Sequence, residues 1–166
     1  MSDRGTIYIF IPVPVNASAE ASGVPLSSSL SVEDQDEDDF PFEDAYEARI
    51  DRHNVHRKTS EVSFKVKWRF RPSGPWFRAW YEEEDVQHRL PDMVLEYWKG
   101  LGGRCQATKL KNYRVFKILS EDNELDRYQI QWTGYDADRD TTMEPKKKIK
   151  DICPGEVHQW ECRKQE

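Results

Sequence analysis

The segment YQIQWTGY, residues 128–135, carries three large aromatics in eight positions, and two of them, Trp132 and Tyr135, flank a Gly-containing turn of a kind that normally faces solvent. Tyr128 alternates with Ile130 on the apolar side of a strand pattern, which assigns it to the core. Trp132 ends that strand and suits a core as well as a surface. Tyr135 directly follows Gly134, where packing does not explain a large ring. Rings in such places attract cations through their quadrupoles, most strongly when the cation is desolvated.

Other groups with chemical potential lead less far. Cys153, His158 and Cys162 have the spacing C-x4-H-x3-C, but a structural zinc site needs four ligands and no CxxC lies nearby, so no metal is expected. His53 and His56, in DRHNVHRK, read as solvated residues of a polar hairpin turn. No Cys/His/Asp or Ser/His/Asp arrangement stands out, and the carboxylates cluster in a tail; neither an enzyme nor a cofactor is expected. PKKKIK, residues 145–150, forms a basic patch of Lys146, Lys147, Lys148 and Lys150 that resembles a monopartite nuclear import signal and suits weak contact with nucleic-acid phosphate.

The elements that carry these residues occur twice. FKVKW, residues 64–68, alternates apolar and basic residues as YQIQW, residues 128–132, alternates apolar and polar ones, the mark of a half-buried strand. Each is preceded by a segment that starts with Tyr, at Tyr46 and Tyr113, and followed by a third short segment, around Trp80 and Met143. Each block ends in an amphipathic stretch opened by Pro91 or Pro154, a helix-start signal. Offsets of 67, 64, 63 and 63 between the counterparts Tyr46/Tyr113, Trp68/Trp132, Trp80/Met143 and Pro91/Pro154 indicate an internal duplication. The expected fold is α+β: two modules, each a three-stranded antiparallel sheet covered by a C-terminal helix through Val94, Leu95 and Trp98 or through Val157 and Trp160. LGGRCQATKL, residues 101–110, is the expected joint, and its shortness implies that the modules touch.

Composition sets the outer limits. Residues 1–44 hold one basic and ten acidic residues, a net charge of −9, which leaves +3 on residues 45–166. Residues 16–44 run from Ser, Ala, Gly and Pro into an acidic stretch that cannot bury enough apolar surface to order itself, so 1–44 is expected to be a mostly disordered tail. TIYIFIPVPV, residues 6–15, is too short and too Pro-rich for a membrane span and lacks the basic flank of a signal peptide; it reads as a β-prone segment that packs on the folded part. Three cysteines without paired spacing fit a reducing compartment.

Tyr113-Arg-Val-Phe-Lys-Ile-Leu, then Tyr128-Gln-Ile-Gln-Trp-Thr-Gly-Tyr135, then Thr142-Met-Glu-Pro145 and a Pro-started helix resemble a chromodomain, the methyl-lysine reader of heterochromatin protein one and Polycomb. The resemblance covers residues 111–164 and is looser over 45–100. It implies a second module at 110–166, a divergent first module at 45–104, and a three-walled aromatic cage at Tyr113, Trp132 and Tyr135. The family's ligand is an extended peptide that adds a strand beside the first strand. That mode implies peptide contacts at Arg114, Val115, Asp138, Asp140 and Glu144, and a nuclear chromatin reader, associated with gene silencing, whose partner is a methylated histone H3 tail.

The departures are specific. Met143 stands where the family carries a structural Trp, and Lys146, Lys147 and Lys148 stand where it carries acidic or amide residues that hold the peptide. In the first module Tyr46 and Trp68 match two cage positions, but no Gly-aromatic pair follows Trp68; Phe70 or Trp76 is the candidate third wall. Two other readings stay open. One is a chromo-shadow-like interaction or dimerisation module of a chromatin complex, using Trp98 and Trp160; the other is nucleic-acid binding through the lysine patch and the Lys and Arg residues of the first block.

Overall fold

The computed structural model describes residues 40–165 and the backbone of Ile9–Phe10; the acidic run 33–39 and most of the segment 6–15 lie outside the described residues. The fold is α+β, built from two antiparallel sheets with their helices. The first sheet has the order β1(Ile9–Phe10), β2(Glu47–His56), β3(Glu61–Arg69), β4(Phe77–Glu82), and is followed by α1(Glu83–Arg89), α2(Pro91–Gly100) and α3(Arg104–Thr108). The second has the order β5(Val115–Asp122), β6(Arg127–Trp132), β7(Thr141–Pro145), followed by α4(Lys146–Ile152) and α5(Pro154–Arg163).

Three features correct the sequence reading. The first sheet gains a two-residue fourth strand, because Ile9 and Phe10 pair with Ala48 and Glu47 at the edge of β2. Each module ends in two helices rather than one: α1 and α2 meet at Leu90, α4 and α5 at Cys153, and these two hinge residues have nearly the same backbone angles, φ −131 and ψ 69 against φ −145 and ψ 64. The proline that follows each hinge has no N–H to give and caps the first turn of the next helix. The joint between the modules is itself structured, since α3 lies within it and buries Arg104 and Thr108.

Alternation on the strands decides what each core contains. In β3, Val62, Phe64, Val66 and Trp68 point inward and Lys65, Lys67 and Arg69 point outward. Val94 and Trp98 of α2 close that core, together with Phe42, which is fully buried although it precedes the first long strand. Phe40 and Phe42, inside the segment expected to be tail, thus belong to this core. His53 is not in a solvated turn; it sits within β2, hydrogen-bonds the Tyr97 hydroxyl at 2.7 Å and packs edge-on to Trp98. In the second core Ile118, Tyr128, Ile130 and Ile149 are buried, with Val157 of α5 over them, and Tyr128 is 1% exposed.

Candidate functional site

β6 ends at Trp132 and the chain turns at once. The Tyr135 N–H donates to the Trp132 carbonyl at 3.0 Å, and Gly134 has φ +83, the positive value that the third residue of a type II turn requires. The turn throws Trp132 and Tyr135 to one end of the sheet. Tyr113 reaches the same place from the irregular segment before β5, which is held in register because the Thr133 N–H donates to the Arg114 carbonyl at 2.9 Å. Tyr113 lies 6.1 Å from Trp132 and 5.6 Å from Tyr135 between ring centroids, with interplanar angles of 58° and 60°. The three residues of the expected cage thus converge. Tyr113 is 49% exposed and packs against both other rings.

A polar relay orients Trp132. Its indole N–H donates to Thr142 Oγ1 at 2.9 Å, the Thr142 hydroxyl donates to Glu144 at 2.9 Å, and Lys148 Nζ holds the other Glu144 oxygen at 2.6 Å. The Lys148 bond, with help from Thr142, keeps the Glu144 carboxyl below its usual pKa despite partial burial. Burial, with the neighbouring Tyr113 hydroxyl, pushes Tyr135 up to about 12, so its ring stays a neutral phenol across the working pH range.

The turn is clamped from the other module. The fully buried Gln87 of α1 accepts from the Gly134 N–H at 2.7 Å and donates to the Tyr135 carbonyl at 3.4 Å; Gln131 donates to that same carbonyl at 2.9 Å. Behind the clamp Glu83 and Arg104, both side chains 2% exposed, form a bidentate ion pair at 2.7 to 3.1 Å, and the Trp98 indole adds a hydrogen bond to Glu83 at 2.7 Å. A Cβ on Gly134 would overlap Arg104 and come within 2.6 Å of Glu83 Oε1. Glycine is required here for the backbone angle and for the close approach alike. These bracing residues were not foreseen; EEEDVQHR offered only charge and a single valine to suggest a helix, and nothing local to suggest a contact 47 residues away.

Beside the cage turn lies an acidic cleft of about 310 Å³, lined by Glu61 and Glu82 to Asp85 of the first module and by Arg104, Arg114 and Thr133. The cleft meets the turn through Thr133, but none of the three rings lines it; the cavity that reaches the rings is a second one of about 350 Å³, lined by Tyr135 with Asp136, Asp140, Lys99, Arg104 and Arg139. Arg114 pairs with Glu61 and reaches Glu84 at 4.0 Å. Burial pushes the Glu84 carboxyl up; Arg114 opposes the shift, and Asp85, Glu156 and Glu83 add to it. Thr133 Oγ1 is buried against this cleft with no hydrogen-bond partner among the described residues.

The remaining expected contacts divide. Val115 is buried opposite Trp132 in the ladder, while Asp138 and Asp140 are exposed on the loop after Tyr135. Lys146 points away from the cage, to Glu121 at 3.0 Å and Asn123 at 2.6 Å, and with Lys148 bound to Glu144 only Lys147 and Lys150 of the basic patch stay exposed without an ion pair among the described residues. In the first module the possible second cage does not assemble. Trp68 is 6% exposed and packed by Phe42, Phe77 and Tyr81; Phe70 packs on Phe77; Trp76 lies on the opposite face of the sheet, over Lys67 and Arg69; Tyr46 is half-buried. Among the described residues no group of three His, Cys, Asp or Glu side chains suits a metal ion, and no helix is long and apolar enough to cross a membrane. Compared with known proteins, the chain matches no family model, no curated protein and no solved structure.

Proposed function

We propose that the second module is a non-enzymatic, chromodomain-like reader, acting in the nucleus, that binds a methylated lysine of a histone tail, with H3 the first candidate, between Tyr113, Trp132 and Tyr135. The observation that carries this reading is the convergence of those three rings on a braced turn beside an acidic cleft. A methylated ammonium keeps its charge and loses hydrogen-bond donors, so ring faces serve it where carboxylates alone do not; each desolvated contact is worth about 0.5 to 2 kcal/mol. The rings touch one another in the free protein, and Tyr113, half-exposed and outside any strand, is the wall that turns aside to admit the ligand. The cleft supplies negative charge for the basic residues that flank such a lysine, and the pairing of Lys146 and Lys148 with Glu121 and Glu144 removes much of the repulsion those lysines would exert.

The interaction-module alternative loses one of its two anchors, since Trp98 is 2% exposed and engaged by Glu83. Titration of the full chain with H3 peptides carrying zero, one, two or three methyl groups on a lysine tests the proposal. At least a tenfold preference for a methylated form is expected, and equal binding of methylated and unmethylated peptides rules the cage out.

A further inference from the structure

The outward face of the first sheet serves neither the core nor the cage, and its composition is unusual. Across the three long strands the ladder aligns Arg49 with Lys67 and Arg78, and Arg52 with Lys65 and Trp80. Trp76 packs under cations of this face, with Lys67 Nζ 4.6 Å, Arg69 4.7 Å and Arg49 4.9 Å from its ring centroid. Trp80 lies beside Arg52 at 5.6 Å and Lys65 at 5.9 Å and is 46% exposed. Against these cations stand Asp51, Glu47, which is buried and already bound to Arg69, and, at the far end of the same face, Glu82, which accepts from Ser63, and Glu61, which pairs with Arg114.

A half-exposed tryptophan amid the cations at the end of this face that holds Arg49, Lys67 and Arg78 is poorly explained by stability alone, because exposed rings gain little from burial and like charges in one patch repel. The repulsion has a local sign: burial, with Arg49 and Arg78, holds the Lys67 ammonium below its ordinary pKa, and Asp51 and Glu47 only partly oppose the shift. A polyanion would relieve it. Planar rings set among the cations favour a polyanion whose bases are free to stack, which distinguishes a single strand from a duplex and from an acidic protein segment.

We infer that this face, centred on Lys65, Lys67, Trp76 and Trp80, binds single-stranded nucleic acid, with the cations on phosphates and the exposed ring of Trp80 on a base. The surface is separate from the cage and acts independently of it.

Fluorescence anisotropy of the full chain with a labelled 15-nucleotide oligouridylate tests the inference. The expected result is binding that weakens about twentyfold to fiftyfold between 50 and 200 mM salt, as release of counterions from three or four phosphates requires. Lys65→Glu with Lys67→Glu is expected to weaken binding at least tenfold. Trp80→Ala, which removes a half-exposed ring and no charge, is expected to weaken it at least fivefold while lowering the unfolding temperature by only a few degrees. Lys147→Gln with Lys150→Gln is expected to leave it intact. The inference is overturned if the oligonucleotide does not bind, or if Trp80→Ala is neutral and a duplex or polyglutamate competes equally well. It is also overturned if the Lys147/Lys150 variant loses binding while the Lys65/Lys67 variant keeps it.

Discussion

The two modules share a frame and differ at one end of it. Both run through three long strands and then two helices broken at a hinge before a proline, yet the tryptophan that ends the middle strand is swallowed in one and offered to solvent in the other. Trp68 is covered by Phe42, and Phe42 lies four residues before Tyr46; the residue four before Tyr113 is Lys109, which cannot cover Trp132 in that way. After Trp68 the chain continues as RFRPSGPWF, whereas after Trp132 it makes the TGY turn. The first module buries Trp68, leaves Phe70 and Phe77 half-exposed beside it, and lends Glu83, Gln87 and Arg104 to hold the second module's turn. On the proposed reading, one copy of the unit serves as support and the other as binding site, two tasks that a single small sheet would have to combine.

The sharpest way to break the comparison is to truncate both tryptophans. Trp68→Ala should cost about 3 to 5 kcal/mol of stability as a large core deletion, and Trp132→Ala about 1 kcal/mol as a half-buried one. Urea unfolding of the two variants measures both, and equal losses would mean that the two positions are not different in kind. Next in size is Gly134→Ala. The positive φ and the displaced buried ion pair together predict a loss of about 3 kcal/mol, with the contact between modules weakened, detectable as faster proteolysis within residues 101–114.

A smaller effect comes from Gln87→Ala, which leaves the Gly134 N–H buried without a partner at a cost of about 1 to 3 kcal/mol. Faster hydrogen exchange at Gly134, with the β2 and β3 amides unchanged, would show the clamp acting on the cage turn alone. The mildest effect is that of acid. Burial pushes His53 and His88, which packs on Phe116 of the second module, below 6.5. A histidine depressed in the folded state contributes stability that is fully present above its unfolded pKa and is lost as pH falls through the folded value. Stability of the first module and its contact with Phe116 is therefore expected to decline as pH falls below 6.5, and replacing His88 with Gln should flatten part of that slope.

The repeat was legible because each module writes the same period-two strands and the same proline at nearly constant offsets, and Tyr128 was correctly placed inside because it alternates with Ile130. The three rings were legible only through a resemblance, since nothing in local pattern tells that Tyr113 meets Tyr135. The short helices α1 and α4 leave no helical period in the sequence, because Val86 is the one buried apolar residue of α1 and Ile149 of α4; EEEDVQHR joins the helical end of its module only through a loose family resemblance. Phe42 was assigned to the tail because its neighbours are acidic, and long-range contacts such as Gln87 to Gly134 leave no local trace at all.

Chemical-shift mapping with an H3 peptide trimethylated on one lysine tests the central claim most directly. Saturable shifts are expected at the Trp132 indole N–H and at the amides of Thr133, Gly134 and Tyr135, absent with the unmethylated peptide, while the Trp68 indole stays in place. Shifts centred on Trp68 and Phe77, or the same shifts with and without methylation, would contradict it.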